Sequence, residues 1–403
     1  MDIRPILSTL RRHKTASALI VIEIALSCAI VCNALFLIDT RIDRMDRATG
    51  LAEDEIVRIN VAGIGTDDNA DAAAKTDLAA LRAIPGVKYA TMTNHVPFDG
   101  SSWNSSVSVK PDQQIPSMNV GVYLGDEQLV ETFGLKLTAG RDFLPEEFIE
   151  MSGIGDDTAI AATIVSRGMA EKLFPGENAV GKLLYDSWGS KPIKIVGVVE
   201  TLIRPNDNEG PANAQNSMLL PIRPTSGRFA IRTSPERREE VLKAGVATLE
   251  KVNRSRIIMD QGTFSDVIDE YYQQDKAMAW LLGAVCVALM IVTALGIVGL
   301  ASFWVQQRTK QIGVRRALGA TRSQILRYFQ TENFLLATIG IVLGMLGAFG
   351  LNQLLMTYYE LPRLPALYLP VGAVALWLLG QIAVFGPAKR AAAVPPAVAT
   401  RSV

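Results

Sequence analysis

The stretch QQRTKQIGVRRALGATRSQILRYFQ, residues 306–330, decides the fold. It carries Arg308, Lys310, Arg315, Arg316, Arg322 and Arg327 with no acidic residue, and it lies between two long apolar runs. Short loops rich in Lys and Arg stay on the cytoplasmic face of a membrane. Residues 306–333 therefore read as a cytoplasmic loop joining two membrane helices. Upstream lies the run 278–305 and downstream the run 334–356, each long enough to cross about 30 Å of hydrocarbon at about 1.5 Å per residue.

Two more runs complete the set, 16–38 near the start and 368–386 near the end. A prolyl turn, 357–367, holds Pro362 and Pro365 and joins the third span to the fourth. The first run is longer than the 7–15 residues of a signal-peptide core, so it stays as an anchor. Arg4, Arg11, Arg12 and Lys14 in the amphipathic segment 1–15, and Lys389, Arg390 and Arg401 in the tail 387–403, agree with a cytoplasmic placement of both termini. The turn 357–367 carries only Arg363 against Glu360. Four crossings then put residues 39–277 outside, and a long domain is translocated whatever its own charge.

Composition fits this mixture. Of 403 residues 49% are hydrophobic, and the mean hydropathy of +0.22 is too high for an ordinary soluble domain and too low for an all-membrane bundle. Forty basic and forty acidic residues cancel, which leaves no net charge to draw nucleic acid. Cys28, Cys32 and Cys286 all fall within apolar runs, so the outer domain has no disulfide framework and no cysteine metal site.

The outer domain reads as α/β. A strand pattern over 56–61 precedes a helix over 73–84, a Pro85-Gly86 turn and a strand over 87–93. The order recurs with strand 228–232, helix 236–252 and strand 256–260. Two such units bracketing the domain predict a split β-α-β lobe with its helices on one face of one sheet. The intervening residues 94–220 predict an inserted β-rich lobe. From Ser265 to Lys276 nothing breaks a helix, so a stalk running into the second span is expected.

Few residues offer chemistry. Gly176 to Lys182 has the spacing of a phosphate-binding loop, but Leu183 stands where that motif needs Ser or Thr, and Phe174-Pro175-Gly176 reads as a helix stop. Only His13 and His95 are present, and no carboxylate pair stands out by spacing, so no catalytic or metal site is expected. Glu23 and Asn33, inside the first span, should face protein rather than lipid and make interhelical contacts. Gly340 and Gly344, followed by Gly347 and Gly350, form a small-residue stripe that lets helix backbones approach.

The segment from Gln307 to Thr321 closely resembles the cytoplasmic loop of the MacB-type, FtsX-like ABC transporter permeases of the type VII ABC superfamily. Where that family has Glu, this chain has Gln311. Further similar phrases are Thr132 to Leu135 with Ala139 to Phe143, Leu173 to Gly176 with Val180 to Lys182, Ile195 to Val199, and the tail Pro387 to Ala392 with Pro395. Together they span essentially the whole chain.

The resemblance implies a homodimeric or heterodimeric permease of the bacterial inner membrane, with a porter-like lobe and an inserted β-rich lobe outside. It implies no cofactor in this chain, with ATP and Mg held by a cytoplasmic ABC ATPase subunit. Residue 1 lies about 15 residues before the first span, so that ATPase is expected to be a separate chain. Partners so implied are the ATPase, a second permease copy, a periplasmic adaptor and membrane lipid. In such permeases the helices transmit motion to the outer domain. Residues expected to couple to the ATPase are Ile312, Gly313, Arg315, Arg316, Leu318 and Gly319, with Ile312 and Leu318 as apolar anchors. The leading expectation is efflux of peptides, antibiotics or lipid-linked cargo; a lipoprotein-releasing permease and a regulator of a cell-wall hydrolase are the alternatives.

Overall fold

A computed structural model describes residues 14–63, 69–111, 113–155, 158–186, 191–206, 210–254, 256–359 and 363–395. Most of the segment 1–15, with Arg4, Arg11, Arg12 and His13, lies outside the described residues, as do Glu360, Pro362 and Arg401. The chain divides into a helical unit, built from both ends of the sequence, and a domain from Asp46 to Gln273.

Among the described residues of the helical unit four helices are long and apolar enough to cross a membrane: α1 (Lys14–Met45), α7 (Gln273–Gln307), α9 (Arg322–Tyr359) and α10 (Tyr368–Ala392). Each extends beyond the apolar run that predicts it. The largest difference is α9, which begins at Arg322 rather than near Phe334. The connection before it contains a short helix, α8 (Thr309–Ala317).

The stripe Gly340-Gly344 lies against α1. A Cβ at Gly344 would stand 2.5 Å from the Cys28 Cβ and 2.6 Å from the Ala25 carbonyl oxygen, and one at Gly340 would stand 2.8 Å from the Ile24 Cβ. Gly347 is looser, with Ala29 at 3.7 Å, and Gly350 meets nothing. Only the first two glycines are required by the packing. Around them Ile20, Ile24, Cys28, Ala337, Ile341 and Leu376 form the buried core.

The domain has two lobes. In the first, β1 (Ile56–Gly63), α2 (Ala70–Arg82) and β2 (Tyr89–Thr93) are matched by β12 (Arg228–Arg232), α5 (Arg238–Val252) and β13 (Arg256–Thr263). The sheet order is β13-β1-β12-β2, with every pairing antiparallel. Each β-α-β half leaves a gap that a strand of the other half fills, which is the split arrangement the sequence predicts. Alternation explains the single helical layer. Val57, Ile59, Ala90, Met92, Phe229 and Ile231 pack with Leu78, Leu81, Val241 and Leu249 of the helices, while Arg58 points from the other face of β1 to Asp260 at 2.5 Å.

The inserted lobe holds β3 (Asn104–Ser108), β4 (Met118–Leu124), β5 (Leu137–Gly140), β7 (Ala162–Ser166), β8 (Leu183–Asp186), β9 (Pro192–Val199) and β10 (Ser217–Leu220). Two short helices accompany them, α3 (Leu129–Phe133) and α4 (Arg167–Leu173), and β6 (Ile149–Glu150) pairs with β11 (Ile222–Arg223). The main order is β5-β9-β7-β10-β4-β3-β8, and β8 also pairs with β9. That last pairing closes six strands into a ring with β5 added outside it, so the lobe is a small barrel with few free edges. Val107, Val120, Val122, Val165, Ile195 and Met218 belong to its core.

The expected unbroken stalk is corrected. Helix α6 (Phe264–Tyr271) ends at Tyr272, where the backbone leaves helical geometry, and α7 begins afresh at Gln273. Packing accounts for the break: the Tyr271 and Tyr272 rings lie 4.6 Å and 5.2 Å from the Phe98 ring, and Tyr272 is buried.

Candidate coupling site

Helix α8 is defined by its two ends. At its C-terminus Leu318 is the cap and Gly319 takes φ +97°, while the Gly319 and Ala320 N–H groups donate to the Arg316 and Arg315 carbonyls at 3.2 and 3.0 Å. This is a Schellman turn, and glycine fits its left-handed position without a Cβ clash. Two residues later Thr321 and Gln324 cap the start of α9 reciprocally, at 2.9 and 3.2 Å. Nine helical residues thereby lie between a one-residue break at Arg308 and the glycine turn at Gly319.

The helix has two unlike faces. Ile312 is 5% exposed and packs with Val305, Ile325, Phe329, Ala388 and Ala391 of α7, α9 and α10. Gly313 is buried beside it. Away from this buried contact Val314, Arg315 and Leu318 are exposed, Leu318 at 83%. Arg316 is half-buried, and the Arg315 guanidinium stacks 5.1 Å from the Tyr328 ring. The pairing of Ile312 with Leu318 as two anchors is therefore corrected: Ile312 is buried and fastens α8 to its own helical unit, while Leu318 is exposed. The face free to meet another protein is Val314, Arg315 and Leu318.

The start of α8 is fixed by a contact that nothing in the sequence pattern singles out. Arg308 caps α8, and its Nη1 lies 3.1 and 2.9 Å from the two carboxylate oxygens of Glu332 on α9, with Glu332 1% exposed. The guanidinium also lies 5.6 Å from the Trp304 ring. Glu332 reads as a flank of the run beginning at Phe334. The available signal is scarcity: after Asp275 only Glu332 and Glu360 are acidic.

The polar residues of the first span make contacts between helices. The Asn33 amide donates to the carbonyls of Ala29, at 2.9 Å, and of Ala348 on α9, at 3.2 Å. The Glu23 carboxylate lies against α7 where a Cβ on Gly296 would come within 2.5 Å of it. Ser27 and Thr293 share a hydrogen bond of 2.8 Å between the same two helices.

In the domain, the segment 176–182 is a turn. It runs directly into β8, and the Lys182 ammonium is paired with Glu177 at 2.6 Å. His95 is 1% exposed, with its ring 4.7 Å from that of Tyr123. Burial, and then the nearby Arg228 charge, push its pKa down to about 3. It is a buried neutral side chain.

The MacB-like periplasmic core domain matches residues 17–249, more than half of the chain, and the FtsX-like permease C-terminal domain matches residues 283–396. This chain belongs to the MacB-type, FtsX-like family of ABC transporter permeases. The permease is 22% identical over 427 aligned positions to the uncharacterized ABC transporter permease YknZ of Bacillus subtilis (strain 168), covering 99% of this chain and 98% of that one. It is 28% identical over 193 residues to the macrolide export ATP-binding/permease protein MacB of Shewanella sp. (strain W3-18-1), covering 45% of this chain and 29% of that protein. The crystallised periplasmic region of MacB from Actinobacillus actinomycetemcomitans is 16% identical, with 57% of this chain and 98% of that chain covered and a TM-score of 0.34. The permease is thus an integral membrane protein of an ABC system, and its family implies an ATPase partner.

Proposed function

We propose that this permease couples ATP hydrolysis in a separate cytoplasmic ATPase subunit to motion of its large domain, and so drives export. The observation that carries this reading is α8, a short rigid helix whose inner face is fastened to three long helices while Val314, Arg315 and Leu318 stand unburied. An apolar side chain flanked by a fixed guanidinium is what a groove on a partner subunit grips. ATP and Mg belong to that partner. The basic residues around α8 support a cytoplasmic placement, with both termini on the same side, the large domain outside and the inner membrane as the location. A second permease copy and a periplasmic adaptor complete the proposed assembly. The relative named for macrolide export supports efflux, here of peptides, antibiotics or lipid-linked cargo.

Two measurements test the reading. A cysteine at Thr76 should react with a membrane-impermeant thiol reagent in spheroplasts, and one at Ser323 should not; the reverse pattern would overturn the orientation. Affinity purification from native membranes should recover an ABC ATPase with the permease. Recovery of a cell-wall hydrolase and no ATPase would favour a regulator instead.

A further inference from the structure

Three observations meet at the junction of α7 with α8. Arg308 occupies the N-cap of α8, so its backbone belongs to both the end of α7 and the start of α8. Its guanidinium is held at 3.1 and 2.9 Å by the carboxylate of Glu332, and both side chains are nearly enclosed, at 11% and 2% exposure. Trp304, one turn earlier on α7 and itself buried, presents its ring 5.6 Å from the same guanidinium. The ring and the carboxylate together hold the guanidinium from two sides. A charge pair this enclosed is weak evidence for net stability, since burying both ions offsets their attraction. Its distinctive property is direction: it ties the α7–α8 corner to one point on α9.

We propose that Arg308 and Glu332 are a positioning pair that makes α7, α8 and α9 move as one piece when α8 is displaced. The proposal rests on the coupling role of α8. Ile312 holds the middle of the helix by apolar contact, which resists separation but permits rotation and sliding. The ion pair removes that freedom at the N-terminal end. Without it, α8 still presents Val314, Arg315 and Leu318, so an ATPase still binds, but a push on α8 is absorbed as rotation at the corner. Binding and transmission are then separable.

The test uses the full permease in nanodiscs with the ABC ATPase subunit that copurifies with the unaltered chain. Glu332→Gln should keep copurification within about twofold while the permease-dependent part of ATP turnover falls about tenfold, as expected when an interaction acts in the working cycle rather than in binding. Spin labels on cysteines at Ala317 and Arg327, both exposed, report the α8–α9 geometry without any ATPase. Their distance distribution should be narrow in the unaltered chain, broaden in Glu332→Gln and narrow again in the exchange Arg308→Glu with Glu332→Arg, which should also recover turnover. A purely stabilising pair would change the melting temperature and leave the labels and turnover of the folded fraction alone. If Glu332→Gln does not fold, Arg308→Lys is read in its place, because it keeps the charge and loses the guanidinium beside Trp304; it should broaden the distribution and reduce turnover about threefold. Unchanged label distances and unchanged turnover in the folded variants would overturn the proposal. An unaltered permease that stimulates no ATPase would instead remove the coupling role of α8, and the label distances would still decide whether the pair fixes the corner.

Discussion

In the domain between α1 and α7 the sheet buries Val57, Ile59, Phe229 and Ile231 under α2 and α5, whereas the helical unit rests on the bare backbone of Gly340 and Gly344 against α1. The difference follows from solvent. Water drives apolar side chains together, so the domain is held by bulk and tolerates surface change. Lipid tails are as apolar as leucine, so helices associate through close fit and a few polar contacts. Among the described residues those contacts include Asn33 to Ala348, Ser27 to Thr293, Trp377 to Thr338 and Arg308 to Glu332. A small change of shape should therefore be most damaging in the helices, and a large loss of apolar volume most damaging in the domain.

The largest effect should come from Gly344→Leu. Even a Cβ there would overlap Cys28 and Ala25, and a leucine cannot be accommodated without parting α9 from α1. Monodisperse protein recovered in detergent should fall about tenfold or more, while Gly347→Ala, with Ala29 at 3.7 Å, should be recovered normally. Equal recovery of both would mean that the stripe does not pack as described.

The next effect is a core truncation in the domain. The segment 46–273 should unfold cooperatively on its own, and Phe229→Ala should cost it about 3–5 kcal/mol by urea denaturation. A broad, non-cooperative transition would break the claim that the domain is self-sufficient.

A smaller effect should appear with pH. His95 has a folded pKa of about 3, below the ordinary 6.5, so the unfolded chain binds more protons between those values. Its contribution is present above about pH 6.5 and is lost as pH falls toward 3. By pH 5 the domain should have lost about 2 kcal/mol relative to pH 7, and His95→Gln should flatten that slope. An unchanged slope in the variant would show that other groups govern acid sensitivity. The smallest effect belongs to Lys182→Ala, which removes an exposed pair with Glu177 and should leave the urea midpoint of the domain unmoved.

The same contrast explains what is legible in the sequence. The four spans are written in composition, because hydrocarbon demands long apolar runs. The split β-α-β lobe is legible because each half repeats strand, helix and strand in the same order. Closure of the barrel is not, since it depends on β8 returning to β9 after pairing with β3, and no local pattern specifies that partner. The break at Tyr272 is hidden because tyrosine is no helix breaker like Gly or Pro, and its packing on the distant Phe98 ring is not written in the local pattern. The loop motif marks where α8 lies but not which way it faces: Ile312 and Leu318 are both apolar, and only the positions of Ile325, Phe329 and Ala388 decide which is buried. Glu332 is missed for a related reason, since its partner lies across a connection whose length alone does not bring the two together.

The central claim is that the exposed face of α8 grips an ATPase. The most direct test replaces Val314 and Leu318 with alanine together, leaving every arginine in place so that insertion and lipid attraction are preserved. Both side chains are exposed, so the melting temperature of the permease should not move. Copurification of the ATPase and permease-dependent ATP turnover should each fall about tenfold or more, the effect of losing two apolar anchors from an interface. Normal copurification with normal turnover would contradict the account and leave residues 306–330 as a signal for membrane orientation alone.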